Sequence, residues 1–582
     1  MLAHRKSGIE LWTYVAAVLA ISAAFSANAR DAFSPVINLR NASNAGYGFS
    51  PVHGSLLPDG SVMFIGVQRK DGTAVAPVIG PKFEARYNVL PQGTQPWPNL
   101  QALTRDVLPY DCGANCVFPG TGGSWSVEDT VMCSGHTLLA DGSFFSISGT
   151  RFFNFQPADP IAAPYSIAVG LDHNFHYNPV TAVWTRLPGQ MLAPGESNLH
   201  GRWYGTATNL ADSRVLITGG YDVVGAVIDD KVVLGTQTHN VSVEAFDPKN
   251  IGNPRQLLSA ANITPANIFN VDYAHVFQVP FALGSGQDVL MIGMAGEPIF
   301  MAPSATPNWL PTGQIRPGDS QGYDPMHEAS TVMLPIRLTL NEWGYKLGAI
   351  MAIGGGGPSR ASRADIYDAA SGGWQSKRYD IGAARHHPSS VLLPDGRIFV
   401  IGGHNASDTL PHPVDGVLLA PSATGYAVTA TAAMAHSRGY HTVALLLPDG
   451  RVLVAGGRSG SATGDSDEQA NLEYYEPDYI SGPRPSITTV PKEIHYDTPF
   501  ALGFSGTAAP SELVLMALGS MTHSFDANQR SIQMVHVQTA PNTLVGYLAG
   551  GERFAPPGYY MLFVLDENRR PSKAVMVRIS RS

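Results

Sequence analysis

The sequence predicts an all-β protein: a seven-bladed β-propeller followed by a C-terminal immunoglobulin-like β-sandwich. Three observations predict this fold. A hairpin pattern recurs about seven times, 61 glycines and 44 prolines supply turns, and the chain after its N-terminal segment has no long amphipathic helical pattern. With 582 residues, 44% of them hydrophobic, the chain is long enough to bury a large core.

Each repeat starts with a tight turn, continues with alternating apolar residues and ends in a small pair such as Gly-Gly. Asp-Gly between apolar runs favours a hairpin, because glycine accepts the positive φ that the turn requires. The clearest copies run from Leu393–Gly396 to Gly402-Gly403 and from Leu447–Gly450 to Gly456-Gly457. The other copies start at Leu56–Gly60, Leu138–Gly142, Ala211–Ser213 and Gly284–Gly286, and one more ends at Gly354–Gly356.

Outer strands follow these hairpins. An aromatic residue before an acidic or proline residue occurs in Val243–Pro248, in Leu472–Pro477 and in Ala364–Asp368, which Trp374 follows. This order is typical of kelch repeats. Because a four-stranded blade cannot bury both faces alone, the blades should close into a ring, and we predict a kelch-type propeller over residues 30–484. The fourth and fifth units are weak, so six or eight blades are the alternatives.

The repeat ends at Gly482–Pro485. Alternating runs such as Leu513–Leu518 and Tyr559–Val564 then predict a small, separate β-sandwich over residues 485–582.

The N-terminus has the pattern of an export signal. His4, Arg5 and Lys6 precede an apolar run, Leu11–Phe25, and Ala27–Ala29 offers a cleavage site, so residues 1–29 are predicted to be a signal peptide. A retained membrane anchor is the alternative, although the run is short for a span. We expect a soluble mature protein that is secreted or periplasmic.

The net charge of −9 gives no basic footprint, so nucleic acid is not expected as a partner.

Three cysteines occur. Cys112 and Cys116 lie close together in a Gly- and Asn-rich loop, and in an oxidising compartment a disulfide between them is the simplest pairing. A soft-metal site is the alternative, but it has no supporting histidine nearby. Cys133 is then the odd cysteine and requires an explanation.

Four short motifs could carry chemistry. Taken alone, each has an ordinary explanation: a tyrosine packed in a blade, a core histidine, a buried thiol or a surface histidine. They stand beside the predicted inner hairpins or in the C-terminal domain, in the order Met132–Gly135, Arg202–Tyr204, Arg438–His441 and Thr522–Ser524.

This ordered set resembles the galactose oxidase and glyoxal oxidase family of mononuclear copper-radical enzymes. The resemblance extends over almost the whole predicted mature chain and includes Asp526, Gln529-Arg530 and the closing strand Pro556–Val564. It implies a thioether between Cys133 and Tyr204, which would give the odd cysteine a use.

The resemblance also implies a copper site formed by Tyr204, Tyr440, His441 and His523. Two phenols and two imidazoles suit Cu(II); zinc accepts such ligands too but has no redox chemistry. Tyr204 would carry the radical as a protein-derived cofactor, and Tyr440 would accept the substrate's hydroxyl proton. The expected reaction is oxidation of an aldehyde or primary alcohol by O2, with H2O2 as product, by a monomer.

The sequence departs from galactose oxidase where that enzyme stacks a Trp over the linked tyrosine. The equivalent place is near Asp222, beside Tyr221, and Trp203 is the nearest indole in sequence. Arg202–Tyr204 resembles the glyoxal oxidase branch, and the predicted mature chain starts at the propeller without room for an N-terminal sugar-binding domain. We therefore expect small aldehydes or simple primary alcohols as substrates rather than galactose.

Other residues are candidate substrate contacts. His386 and His387 precede a hairpin in a position comparable to Tyr440-His441, and the alternative is a pair that only packs the hairpin. Trp203 and Tyr221 are further candidates.

The main rival for the whole protein is a non-catalytic kelch propeller that binds a carbohydrate or a protein. A sialidase-like hydrolase is disfavoured because the sequence has no Asp-box repeats.

Overall fold

The computed structural model describes a large part of the chain. The described residues are 31–39, 47–70, 85–90, 101–102, 123–157, 165–171, 173–187, 201–228, 231–240, 242–251, 256–259, 273–283, 286–292, 297–303, 309–317, 328–337, 347–355, 362–405, 412–459 and 469–581. The predicted signal peptide, Cys112 and Cys116 lie outside these residues. Within them the fold is all-β, and the predicted seven-bladed propeller is confirmed.

The first four blades are antiparallel sheets of four strands each, apart from one strand added to blade 1. Blade 1 contains β3 (Tyr47–Leu56), β4 (Val62–Lys70), β5 (Ala85–Leu90) and β6 (Gln101–Ala102). Blade 2 contains β8 (Gly135–Leu138), β9 (Phe144–Ile147), β12 (Asn174–Asn178) and β13 (Val183–Leu187). Blade 3 contains β14 (Thr206–Asn209), β15 (Val215–Thr218), β18 (Val243–Phe246) and β19 (Gln256–Ser259). Blade 4 contains β20 (His275–Leu283), β21 (Gln287–Ile292), β22 (Ile299–Met301) and β23 (Trp309–Pro311).

The last three blades complete the ring. Blade 5 contains β24 (Ser330–Met333), β25 (Ile350–Ile353), β26 (Arg363–Asp368) and β27 (Gly373–Asp380). Blade 6 contains β28 (Ser389–Leu392), β29 (Ile398–Ile401), β30 (Asp415–Ser422) and β31 (Gly425–Ala433). Blade 7 contains β32 (Thr442–Leu446), β33 (Val452–Gly456) and β34 (Asn471–Glu476). Two short strands from the start of the chain, β1 (Ala32–Phe33) and β2 (Ile37–Asn38), pair with β34 and close the ring.

The Asp-Gly hairpins form where the sequence predicts them. Gly142, Gly396 and Gly450 have φ values of 87°, 85° and 91°. The preceding aspartate also acts in the turn: Asp395 and Asp449 each accept a hydrogen bond from the backbone N–H two residues later, at 3.1 and 3.0 Å. The strands on either side are wholly buried, as in β28 and β29, because neighbouring blades cover both of their faces.

The C-terminal domain is built around one eight-stranded sheet. Its strands are β35 (Ser486–Thr489), β36 (Glu493–His495), β37 (Phe500–Ser505), β38 (Pro510–Ala517), β40 (Ser531–Ala540), β41 (Thr543–Tyr547), β42 (Gly558–Asp566) and β43 (Val575–Ser580), with one helical turn, α1 (Gly551–Phe554). The first part of β40 pairs with β38 and its second part with β41, so this strand joins two layers around a common apolar core. Short 3-10 turns cover Pro248–Asn250 and Asp478–Ile480.

One strand of the C-terminal domain lies inside the propeller. Strand β39 (Ser520–Thr522) pairs with β3 along the inner edge of blade 1, with Thr522 opposite His53. The loop after it is bonded to several blades. Asn528 donates to Thr137 in blade 2 and to Ala207 in blade 3, and Gln529 donates to Ser390 in blade 6. These bonds fix the loop within the ring.

An accessory five-stranded sheet, which the sequence analysis did not predict, extends blades 2 and 3. Its strands are β7 (Gly123–Thr130), β10 (Thr150–Pro157), β11 (Tyr165–Gly170), β16 (Tyr221–Ile228) and β17 (Lys231–His239). Strand β7 leads directly to Cys133, and β16 begins at Tyr221, so this sheet borders the candidate site.

Among the described residues, none of the helices has the length and apolar character needed to cross a bilayer.

Candidate metal centre

Six blades place a residue at the same point, just before the innermost strand. We call these six the mouth residues. All have a left-handed backbone, with φ between 48° and 71°, which is rare for residues other than glycine and is concentrated at functional sites. They are Cys133, Tyr204, Tyr273, Glu328, His387 and His441.

Backbone hydrogen bonds connect mouth residues of neighbouring blades. The N–H of Tyr204 donates to the carbonyl of Cys133 at 2.8 Å, and the N–H of Tyr273 donates to Tyr204 at 2.8 Å. The N–H of His387 donates to Glu328 at 2.6 Å. Since each bond crosses from one blade to the next, these side chains are held at one end of the propeller axis.

The arginines that precede the mouth residues bind the carbonyl groups of the Gly-Gly repeat. Arg202 is fully buried, donates to the carbonyl of Gly219 at 2.6 Å and forms an ion pair with Glu244 at 2.6 Å. Arg438 repeats this arrangement with Gly456, at 2.7 Å, and Glu473, at 3.0 Å. A charged group can be buried in this way because it is paired and hydrogen-bonded. The two arginines hold the backbone segments that carry the tyrosines.

The four predicted copper ligands lie together. The hydroxyl oxygens of Tyr204 and Tyr440 are 2.8 Å apart. The ring of His523 lies close to both tyrosine rings, with its centroid 4.9 Å from that of Tyr204 and 5.2 Å from that of Tyr440. The ring of His441 is 4.6 Å from that of His523, at an interplanar angle of 84°. Residues separated by more than 300 positions therefore present two phenols and two imidazoles to one point.

His523 shows that this point suits a metal ion. Its Nδ1 is 2.5 Å from the Thr522 hydroxyl, whereas its Nε2 is buried and has no hydrogen-bond partner among the described residues. Leaving a buried polar atom unsatisfied costs about 1–3 kcal/mol. Burial also lowers the pKa of His523 well below its usual value, so the ring is neutral and its free nitrogen can act as a ligand. With two phenol oxygens nearby, the set is a nitrogen and oxygen set of the kind that Cu(II) prefers.

Of the two candidate tyrosine ligands, Tyr204 is buried and Tyr440 is half-buried. Burial, and then the neighbouring Cys133 and Tyr440, raise the pKa of Tyr204 well above its usual value. The phenol is therefore protonated unless a cation lies against it.

Cys133 packs against the cluster formed by Tyr204, Tyr221 and Tyr273, and it forms no disulfide within the described residues. Its backbone N–H donates to Nε2 of His53 at 3.1 Å. The predicted cross-link partners are thus neighbours in one cluster. His53 is a site residue that the sequence analysis missed.

Trp203 stacks on Tyr204. The ring centroids are 3.9 Å apart and the planes differ by 16°. Trp203 and Tyr221 form a backbone bridge, and their rings are 5.9 Å apart. The sequence has no tryptophan near Asp222, but Trp203, directly before Tyr204, places an indole over the Tyr204 ring. Trp203 therefore covers this ring in addition to any contact with substrate.

His386 and His387 have different surroundings. The His387 ring meets the Tyr440 ring edge-on, with centroids 4.7 Å apart, so His387 lines the mouth. His386 is buried, is bonded through Nδ1 to the Glu328 carboxylate and stacks on His404. Tyr273, Glu328 and His404 were not identified from the sequence. Tyr273 and Glu328 could have been found by comparing the residue two positions before each inner strand.

Comparisons with known proteins cover both domains. Residues 484–579 match the family model "Galactose oxidase-like, Early set domain". Aldehyde oxidase GLOX1 of Arabidopsis thaliana is 25% identical over 441 residues, 68% of this chain and 65% of the relative. Galactose oxidase of Gibberella zeae is 28% identical over 207 residues, 34% of this chain and 30% of the relative. The chain thus spans less than two thirds of the length of these relatives.

Two further matches extend over most of the chain. Aldehyde oxidase GLOX of Vitis pseudoreticulata is 23% identical over 575 residues, 89% of this chain and 93% of the relative. The solved structure of a fungal alcohol oxidase of the AA5 family, in complex with copper, covers 94% of this chain and 99% of its own, at a TM-score of 0.63 and 19% identity, and shows the shared fold. These comparisons confirm that the chain resembles the galactose oxidase and glyoxal oxidase family, as its four motifs predicted.

Proposed function

We propose that this protein is a copper-radical oxidase that oxidises an aldehyde or a primary alcohol with O2, giving the acid or aldehyde and H2O2. The observation that carries the proposal is the convergence of the Tyr204 and Tyr440 oxygens, 2.8 Å apart, with the imidazoles of His441 and His523. The relatives named as aldehyde and galactose oxidases support the reaction class. No observation in the described residues favours the rival, a non-catalytic binding propeller.

Tyr204, Tyr440, His441 and His523 would hold the copper. Bound copper would supply one of the two electron transfers that the oxidation of an alcohol or aldehyde requires. The ring of Tyr204 would supply the other, with Cys133 joined to it by a thioether. The position of Cys133 in the Tyr204 cluster and the stacked indole of Trp203, which excludes water from one face of the ring, support this assignment.

Tyr440 is the residue placed to accept a proton. It is half-buried at the mouth, whereas Tyr204 is buried beneath Trp203. The guanidinium of Arg458 lies 5.1 Å from the centre of the Tyr440 ring, so a positive charge faces this side chain. We propose that the Tyr440 oxygen takes the hydroxyl proton of the bound alcohol or aldehyde hydrate. Because Tyr440 is only half-buried, a small substrate could reach its oxygen.

The substrate class is proposed to be small aldehydes or simple primary alcohols. The stacked indole comes from Trp203, within the Arg-Trp-Tyr motif that resembles the glyoxal oxidase branch, and the relatives named GLOX support that branch. A peroxide-coupled assay over aldehydes, alcohols and sugars, after copper loading, tests this assignment. Faster turnover of galactose than of small aldehydes would contradict it.

Cys133→Ser tests the radical assignment. We expect this variant to bind copper as the wild type does but to lose most of its activity, because serine cannot form the thioether. Copper content, peroxide production and the intact mass, which falls by the mass of two hydrogens when the cross-link forms, are the measurements. Full turnover by Cys133→Ser would refute the cross-link, and the absence of bound copper in the loaded wild type would refute the proposed function.

A further inference from the structure

We propose that Glu328, His387 and His404 form a second cation site at the mouth, which takes a zinc-type divalent ion. One ligand atom from each of these residues lies within 4.8 Å of the other two. The set shares no residue with the tyrosines and histidines assigned to copper. The inference does not depend on the proposed oxidase function.

The backbone already holds the three residues together. The N–H of His387 donates to the Glu328 carbonyl at 2.6 Å, and both residues have a left-handed backbone, with φ of 51° and 63°. His386 and His404 exchange two backbone hydrogen bonds, of 2.8 and 2.9 Å. An ion would therefore find its ligands preorganised on three chain segments instead of having to gather them.

His386 orients the carboxylate. It is bonded through Nδ1 to Oε2 of Glu328, and Oε1 of Glu328 is 3.8 Å from Nε2 of His387. That separation is too long for a hydrogen bond. It is close to the spacing of two ligands on one tetrahedral ion, about 3.4 Å when each metal–ligand bond is about 2.1 Å. An ordinary ion pair between Glu328 and His386 would not require His387 and His404 to face the same carboxylate.

Stacking and hydrogen bonding fix His404 as well. Its ring lies parallel to that of His386, with centroids 5.3 Å apart and planes 13° apart. Its Nδ1 is 3.4 Å from the carbonyl of Asn405, and donation along this contact leaves the lone pair on Nε2. Metal-binding histidines commonly bond to a backbone carbonyl in this way.

The chemistry of the set fits zinc. Two imidazoles and one carboxylate are the ligands of zinc sites that keep an open coordination position. The side chains of His387 and Glu328 are 21% and 24% exposed, so an ion can enter from solvent. Because His387 also meets the Tyr440 ring, the open position would lie beside the substrate region and could take a carbonyl or hydroxyl oxygen.

Zinc titration of a variant without the two histidines assigned to copper tests the proposal. The background is metal-free His441→Ala/His523→Ala, in which zinc cannot occupy the copper position. Isothermal titration calorimetry with zinc chloride should show about one zinc ion bound per chain. Adding Glu328→Gln or His404→Asn should abolish this binding, whereas His536→Asn, on β40 of the C-terminal domain, should leave it unchanged. Circular dichroism checks that each variant is folded.

Two outcomes would overturn the second site. One is a folded double variant that binds no zinc, and the other is zinc binding that survives both Glu328→Gln and His404→Asn. If the variants do not fold, crystals of the copper-loaded wild type soaked in zinc give the answer: an anomalous peak at the zinc edge between the three side chains supports the site, and its absence excludes it. Zinc binding in a protein without oxidase activity would contradict only the proposed function.

Discussion

The two sides of the propeller mouth use the same backbone position for different chemistry. Blades 2 to 4 place Cys133, Tyr204 and Tyr273 there, and the resulting cluster is aromatic and closely packed. Blades 5 to 7 place Glu328, His387 and His441 there, and their surroundings are imidazoles, a carboxylate and the single phenol of Tyr440. Since the left-handed conformation is common to both, the fold fixes where a side chain stands, and the residue type decides what it can do.

His523 joins the two sides. Its ring lies 4.5 Å from Tyr273 on the aromatic side and 4.6 Å from His441 on the other. His523 belongs to neither side, because it directly follows β39, a strand of the C-terminal domain that pairs with blade 1. A propeller with the same blades but without this strand would have two half-sites and an incomplete metal centre.

Removing the joining residue should therefore have the largest effect. We expect His523→Ala to lose bound copper and peroxide production by more than the roughly 10- to 100-fold that changes to groups supporting a ligand cost. Thr522→Val, which removes the hydroxyl that holds Nδ1 of His523, should fall within that range. Copper content and turnover after loading are the measurements. Equal copper content in His523→Ala and the wild type would show that the two sides bind metal without the C-terminal domain.

Trp203 tests the aromatic side alone. Trp203→Ala removes a stacked ring whose interaction with Tyr204 is expected to contribute about 0.5–1.5 kcal/mol. If that stacking stabilises the oxidised ring, the tyrosyl absorption band should decay roughly 2- to 12-fold faster in the variant. Trp184→Ala is the matched control, because Trp184 packs within blade 2 against Phe144 and Tyr177. Equal decay in both variants would mean that Trp203 serves only in packing.

Local turn chemistry explains why the blades could be predicted. Asp-Gly fixes the clearest hairpins through the positive φ of glycine and the aspartate side chain, as at Asp395-Gly396, so these units can be recognised from a few consecutive residues. The accessory sheet, the closing strands β1 and β2, and β39 could not be predicted in this way. Their partners are distant in sequence, as in the pairing of Ala32 with Glu476, and strands of two or three residues carry no periodicity.

The candidate site divides similarly. Cys133, Tyr204, Tyr440, His441 and His523 were named because their motifs resemble a known family, and the structure places them in one cluster. Glu328 and His404 belong to none of the four motifs. Their proximity appears only in the structure, through the bridge between His386 and His404 and the backbone bond from His387 to Glu328. The stacking of Trp203 on Tyr204 depends on a left-handed residue at Tyr204, which no propensity predicts.

The contact between blade 4 and blade 5, where the two sides of the mouth meet, should make the free energy of unfolding weakly dependent on pH. His275 in blade 4 is 2.5 Å from the Thr331 hydroxyl in blade 5, and burial lowers its pKa from 6.5 to about 3. Because the pKa is lower in the folded state, the stabilisation is complete above about pH 6.5 and is lost as the pH falls from there towards 3, by about 2 kcal/mol at pH 5. His275→Gln should therefore lose about 2 kcal/mol less unfolding free energy than the wild type between pH 7.5 and pH 5, measured from urea midpoints. His536→Gln, on β40, is the control. If the unfolding free energy of His275→Gln and of the wild type depends on pH in the same way, His275 does not contribute to stability as a buried, neutral ring.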